Sequence, residues 1–77
     1  IMWKYDSPIW SIYNAMLSTG GYGIIFNDNV FGSWNSPQSA ADDVYCHVTG
    51  CYEWDSLDGT LDDVTNDISE WDFVQSS

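Results

Sequence analysis

The chain has 77 residues and 17% aromatic side chains, which allows one small domain and is too rich in rings for a disordered acidic tail. Twelve Asp and Glu residues against a single Lys or Arg give a formal net charge of −11 and a pI of about 4.1. Direct binding to nucleic acid or to an anionic membrane is all but excluded, because phosphate contacts need Lys and Arg.

The first half of the sequence predicts an antiparallel meander of three strands. Residues 9–17 are rich in β-forming side chains, although their alternation is blurred. Residues 22–26 and 30–34 form two further predicted strands. Asn27-Asp28-Asn29 joins them, and these residue types tolerate the positive φ of a tight turn. We therefore expect a sheet over about residues 9–34.

A helix is predicted over about residues 36–49. Ser36 is the expected N-cap, and Pro37 follows at the first helical position, where its missing N–H costs nothing. Thr49-Gly50 is the expected stop, and His47 is expected to point away from the core. Four residues at helical spacing form one apolar stripe: Ala41, Val44, Tyr45 and Val48.

The predicted fold is a small α+β domain over residues 1–77. A three-stranded antiparallel sheet needs a cover on its apolar face, and the helix is the long element available for it. An acidic C-terminal arm over about residues 51–74 is expected to wrap this core, with one or two helical turns within 65–71. The residues predicted to pin the arm are Trp54, Leu57, Leu61, Val64, Ile68, Trp71 and Phe73.

The charge is concentrated in the second half of the chain. Residues 42–77 hold ten acids and no Lys or Arg, whereas residues 1–41 hold Asp6, Asp28 and Lys4. Ten uncompensated acids repel one another and destabilise a small domain, which favours a use for them in binding. The alternative is that the acidity serves solubility alone.

Acids also alternate with rings, in Tyr52-Glu53-Trp54-Asp55 and Glu70-Trp71-Asp72-Phe73. Carboxylates around aromatic anchors are typical of a surface that binds a basic protein. Each tryptophan is either a buried anchor of the arm or an exposed contact. The candidate partner-binding residues are Asp42, Asp43, Glu53, Trp54, Asp55, Asp58, Asp62, Asp63, Asp67, Glu70, Trp71 and Asp72.

No metal or cofactor is predicted. Cys46 and His47 are adjacent and leave a helix about 100° apart, and no second Cys or His pair completes a zinc site with Cys51. A calcium loop starting at Asp55 fails because Leu57 takes the place of an oxygen ligand. The two cysteines are predicted to be free thiols, with a disulfide across the helix end as the alternative.

The sequence does not predict an enzyme. A single His among many acids defines no catalytic arrangement, and a surface or helix-capping role is the favoured interpretation of His47. Two cysteines are too few for the disulfide framework of a secreted domain, and no apolar run is long enough for a membrane span. The expected compartment is the cytoplasm of a bacterial host cell.

Two resemblances bear on function. In size, acidity and lack of catalytic equipment, the chain resembles phage or mobile-element inhibitors of bacterial defence, of the anti-CRISPR or DNA-mimic type. About a third of the chain also resembles a family of small bacterial proteins without an assigned activity. The residues that carry this second resemblance are Phe31-Gly32-Ser33-Trp34, Ser36-Pro37-Gln38-Ser39-Ala40-Ala41-Asp42-Asp43-Val44, Thr49-Gly50 and Glu53-Trp54-Asp55-Ser56-Leu57.

The leading functional hypothesis is an acidic inhibitor that binds a basic nucleic-acid-binding surface, with a CRISPR effector as the leading target, and blocks target DNA. The alternatives are an immunity protein for a cationic nuclease toxin and a small acidic adaptor domain. The expected partner is a basic nucleic-acid-binding protein or complex. We expect no direct binding to nucleic acid or to a membrane, and a monomeric chain is favoured.

Overall fold

Five antiparallel strands, not three, form the sheet. The computed structural model describes residues 2–7, 10–61 and 64–74. In chain order the elements are β1 (Met2–Asp6), β2 (Ser11–Met16), β3 (Tyr22–Phe26), β4 (Asn29–Trp34), α1 (Pro37–Cys46), α2 (Tyr52–Asp55), a 3₁₀ helix (Ile68–Glu70) and β5 (Asp72–Val74). The strand order is β4-β3-β2-β1-β5. The α+β class is confirmed, and the strand number of the prediction is wrong.

The two strands that the prediction missed lie side by side at one edge of the sheet. β1 pairs with β2, with Tyr5 opposite Ile12, and β5 pairs with β1, with Trp3 opposite Phe73. The predicted helical turns within 65–71 reduce to the 3₁₀ helix at Ile68–Glu70. The alternation of acids and rings that follows is the two-residue period of a strand, with successive side chains on opposite faces.

One face of the sheet carries α1, which packs against β2, β3 and β4. Asn14 and Ile24 are register partners on this face, and both are fully buried. Asn14 Nδ2 donates to the carbonyl of Pro37 at 2.9 Å, which fixes the start of the helix on the sheet. Nine buried residues among those described form one cluster: Tyr5, Ile12, Ile24, Ala40, Ala41, Val44, Cys51, Trp54 and Trp71.

The predicted start of α1 is confirmed, but the helix ends earlier than the predicted residue 49. Ser36 Oγ accepts from the backbone N–H of Ser39 at 3.1 Å, and Pro37 is the first helical residue. The helix ends at Cys46 because His47 adopts the left-handed conformation, with φ of 58°. The N–H of Val48 then donates to the carbonyl of Asp43, as in a Schellman motif.

The buried face of α1 is narrower than the predicted stripe. Ala40, Ala41 and Val44 are buried, whereas Tyr45 is 48% and Val48 59% exposed. Two of the four residues of the predicted stripe therefore lie outside the core. His47, which was expected to point away, is 7% exposed.

The C-terminal segment is held to α1 and the sheet at defined points. Gln38 donates from Nε2 to the carbonyl of Asn66 and accepts at Oε1 from the backbone N–H of Ile68. Trp71 stacks on Tyr5 with ring centroids 5.2 Å apart. Six predicted pins are buried or pack half-buried against the core: Trp54, Leu57, Leu61, Val64, Ile68 and Trp71. Phe73 is 59% exposed and lies outside this cluster, but its ring packs edge-on against Trp3 with centroids 5.5 Å apart, so it holds β5 to β1 from an exposed position.

Candidate acidic interface and adjoining cleft

The structure separates the predicted partner-binding residues into three groups. The exposed acids are Asp42, Glu53, Asp58, Asp67, Glu70 and Asp72, the half-buried acids are Asp43 and Asp55, and the buried residues are Trp54 and Trp71. Asp62 and Asp63 lie outside the described residues.

Both tryptophans are buried anchors. Trp54 is 2% exposed, its indole N–H donates to the carbonyl of Val44 at 2.9 Å, and its ring stacks on His47 with centroids 4.5 Å apart. Trp71 is 4% exposed and packs on Tyr5. Neither ring is available to a partner, so the exposed-contact alternative is wrong for both.

Asp55 ties the loop between α1 and α2. Its Oδ1 accepts from the backbone N–H and the hydroxyl of Thr49, both at 2.9 Å, and its Oδ2 accepts from the N–H of Gly50 at 2.9 Å. Three donors converge on one half-buried carboxylate. We conclude that Asp55 stabilises the fold and is poorly placed to bind a partner as well.

Asp43 has a similar structural role. Its Oδ2 accepts from the indole N–H of Trp34 at 2.7 Å, which ties α1 to β4. Gly32 makes this geometry possible, because it bulges β4 with φ of 69° and a Cβ there would collide with the Trp34 ring. Asp43 therefore supports the packing of α1 on the sheet.

Three exposed acids lie on the two elements that Gln38 joins, Asp42 on α1 and Asp67 and Glu70 at the two ends of the 3₁₀ helix, and we call these three residues the acidic seam. Gln38 Nε2 donates both to Asp42 Oδ1, at 2.9 Å, and to the carbonyl of Asn66, so it brings α1 and the segment before the 3₁₀ helix together. Each acid of the seam accepts a hydrogen bond from a neighbouring side chain or backbone group.

Local hydrogen bonds fix the other two acids of the seam. Asp67 Oδ1 accepts from the hydroxyl and the backbone N–H of Ser69, at 2.8 and 3.0 Å, and these bonds lower the pKa of Asp67 below its usual 3.8. Glu70 accepts from the hydroxyl of Thr65. These carboxylates are exposed and yet held in position.

Asp72 lies apart from the seam. Its register partner on β1 is Lys4, and Lys4 in turn lies opposite Tyr13. Register partners share a face, and this face is the one opposite to α1. Lys4 Nζ is 3.5 Å from Asp6 Oδ1. Sequence alternation did not distinguish Asp72 from the acids on the helical side.

A cleft of about 410 Å³ opens beyond the C-terminal end of α1. One wall is the end of the helix and the other is the turn and loop after α2. Its lining includes Tyr45, Cys46, His47, Asp58, Leu61 and Val64. Sequence reasoning missed this cleft, because its two walls meet only in the folded chain.

His47 is held rigidly at the cleft. Its Nδ1 lies 2.8 Å from the carbonyl of Trp54, and a carbonyl oxygen can only accept. Nδ1 therefore carries a proton, and in the neutral imidazole Nε2 presents a lone pair. The expected capping role of His47 is observed in part, since the residue ends α1 through its left-handed backbone.

The two cysteines differ in environment. Both are free; Cys46 is exposed at the cleft and Cys51 is buried. Cys51 Sγ donates to Glu53 Oε2 at 3.4 Å, and burial raises the pKa of the Cys51 thiol. Among the described residues, no group of three His, Cys, Asp or Glu side chains could hold a metal ion. The expectation that folding needs no metal stays a prediction.

Comparison with known proteins gives no relative: no protein-family model, no curated protein and no solved structure matches the chain. Across the described ranges, no helix has the length and apolar composition that crossing a membrane requires.

Proposed function

We propose that the protein is an acidic inhibitor that binds the basic nucleic-acid-binding surface of a bacterial defence complex, with a CRISPR effector as the first target to test. In this proposal its carboxylates lie where the phosphates of target DNA would lie. The observation that supports it is the acidic seam, in which Asp42, Asp67 and Glu70 are exposed but fixed by hydrogen bonds.

Fixed carboxylates favour binding over simple solubility. A side chain that is already ordered loses little conformational entropy when a partner binds, so preorganised charges bind more tightly than mobile ones. Solubility needs only net charge, which mobile surface acids supply equally well. The bonds to Gln38, Ser69 and Thr65 therefore support an interaction role for the seam.

The test compares two triple variants of equal net charge. D42N/D67N/E70Q neutralises the seam, and each new amide oxygen can still accept the local hydrogen bond, with Asn at 67 also a good helix cap. D6N/D28N/D72N is the control. Asp28 has φ of 65°, a conformation that Asn tolerates, and Asp6 and Asp72 lie on β1 and β5.

We expect the seam variant to displace labelled target DNA from the guide-loaded effector about tenfold less effectively than the unchanged protein, because three exposed pairs at about 0.2–1 kcal/mol each are lost. The control should lose about twofold or less, since distant charges are screened. Equal losses in both variants would show that net charge alone matters and would contradict a seam-centred interface.

A further inference from the structure

We propose that the cleft at the end of α1 binds an arginine side chain of the basic partner. This inference rests on the proposed function and adds the identity of one contact. It is carried by a cleft whose lining combines the acceptor groups of Asp58 and His47 with the side chains of Tyr45, Leu61 and Val64, in a chain of net charge −11.

The size of the cleft suits one side chain. Its volume of about 410 Å³ lies at the lower end of the range for ligand pockets, roughly 300–1,000 Å³. A nucleic acid duplex or a partner helix needs a longer groove. A single long side chain that enters from a partner surface is the occupant that fits.

The polar groups of the cleft complement a ligand that donates hydrogen bonds and accepts none. Asp58 is exposed; its backbone N–H donates to the carbonyl of Asp55, but no group within residues 2–7, 10–61 and 64–74 donates to its carboxylate, which is free to accept. His47 is nine-tenths buried, and because Nδ1 is engaged by Trp54, the neutral ring offers Nε2 as an acceptor. A guanidinium carries five N–H donors and no acceptor, which complements this pair.

Three side chains of the lining favour arginine over lysine. Leu61 and Val64 are half-buried and offer surface to the aliphatic stem, and Tyr45 offers a ring to a planar cation. A guanidinium stacks on aromatic rings and pairs with a carboxylate through two parallel bonds, whereas an ammonium is a compact, strongly hydrated charge. The cleft should therefore discriminate between the two basic side chains.

The experiment uses the protein without its partner. N-acetyl-arginine amide is titrated while backbone and side-chain resonances are followed by NMR, with N-acetyl-citrulline amide as the neutral analogue of the same shape and N-acetyl-lysine amide as the second cation. We expect saturable shifts centred on Tyr45, His47 and Asp58. Citrulline should bind about tenfold more weakly or not at all, and lysine should be intermediate.

Two matched variants test the role of the carboxylate. Asp58→Asn should weaken binding of the arginine amide about tenfold, whereas Asp28→Asn, also an exposed turn residue, should leave it unchanged. Bound arginine amide should also slow alkylation of exposed Cys46 by iodoacetamide. Cys51, which is buried and has a raised pKa, should stay unmodified in either case.

The inference is wrong if the shifts spread over all surface acids, if citrulline binds as well as arginine, or if Asp58→Asn and Asp28→Asn behave alike. The two proposals fail separately. If arginine amide binds in the cleft but the protein displaces DNA from no effector, the arginine site stands and the proposed function is wrong. If the Asp58→Asn variant still displaces DNA from the effector and arginine amide does not bind the cleft, the proposed function stands and the arginine site is wrong.

Discussion

Replacing Trp54 with alanine should destabilise the protein by about 3–5 kcal/mol, the usual cost of deleting a buried aromatic side chain. Trp54 is 2% exposed, stacks on His47, and contacts Trp10 with ring centroids 6.3 Å apart. Its indole N–H also satisfies the carbonyl of Val44 near the end of α1. A domain of this size has a total stability on the order of 5–10 kcal/mol, so much of it should be lost.

Urea unfolding followed by circular dichroism measures this effect. Trp54→Phe should be intermediate, because it keeps a ring against His47 but removes the indole donor and leaves the Val44 carbonyl with only the N–H of His47. Tyr52→Ala is the control on the same helix, since Tyr52 is 78% exposed, and it should change stability by about 0.5 kcal/mol or less. Equal effects of Trp54→Ala and Tyr52→Ala would contradict the buried position of Trp54.

Replacing Asp55 with alanine should cost about 1.5–3 kcal/mol, because it leaves the donors of Thr49 and Gly50 without their shared acceptor. Asp55→Asn should retain only part of this stability, since its NH₂ group would face a backbone N–H. If charge repulsion alone mattered, removing one of many acids would stabilise the protein, so a loss of stability in these variants distinguishes the two explanations.

Asp58→Asn is the matched control, since Asp58 is an exposed acid three residues further along the chain. Its free energy of unfolding should change by about 0.5 kcal/mol or less. Thermal melting separates the two cases, because 1 kcal/mol shifts the midpoint of a domain of 60–100 residues by roughly 4–8 °C. A melting temperature for Asp55→Asn equal to that of Asp58→Asn would refute the structural role of Asp55.

Local signals predicted the centre of the fold well. Ser36 and Pro37 define the helix start through contacts within one turn, and the structure shows that cap. Asn27 and Asp28 both have positive φ at the turn between β3 and β4, as their residue types indicated. These features depend on neighbours in sequence, which is why residue type and spacing were enough to find them.

The edge of the sheet could not be predicted in the same way. β5 is three residues long and pairs with β1 at the other end of the chain, with Met2 opposite Val74. Such a pairing depends on contacts far apart in sequence. The helix end is similar, because a left-handed His47 is stabilised by its stacking on Trp54 and its bond to the Trp54 carbonyl.

The sequence predicted which residue types form the candidate site, but not where the fold places each of them or which groups they contact. Asp55 and Asp58 look equivalent in the sequence, and only the converging donors of Thr49 and Gly50 distinguish them. The alternation around Trp71 left a buried anchor and an exposed contact both open, because a buried ring in an edge segment produces the same pattern as an exposed one. Tertiary contacts decide which acids stabilise the fold and which remain free to bind.

The salt dependence of binding to a basic effector tests the central claim most directly. Affinity is measured from low to physiological and high ionic strength for the unchanged protein and for the two triple variants that carry equal charge. Our account predicts a steep loss of affinity with salt, and a shallower slope for D42N/D67N/E70Q than for D6N/D28N/D72N. A flat dependence, or the same slope in both variants, would contradict an interface built on the acidic seam.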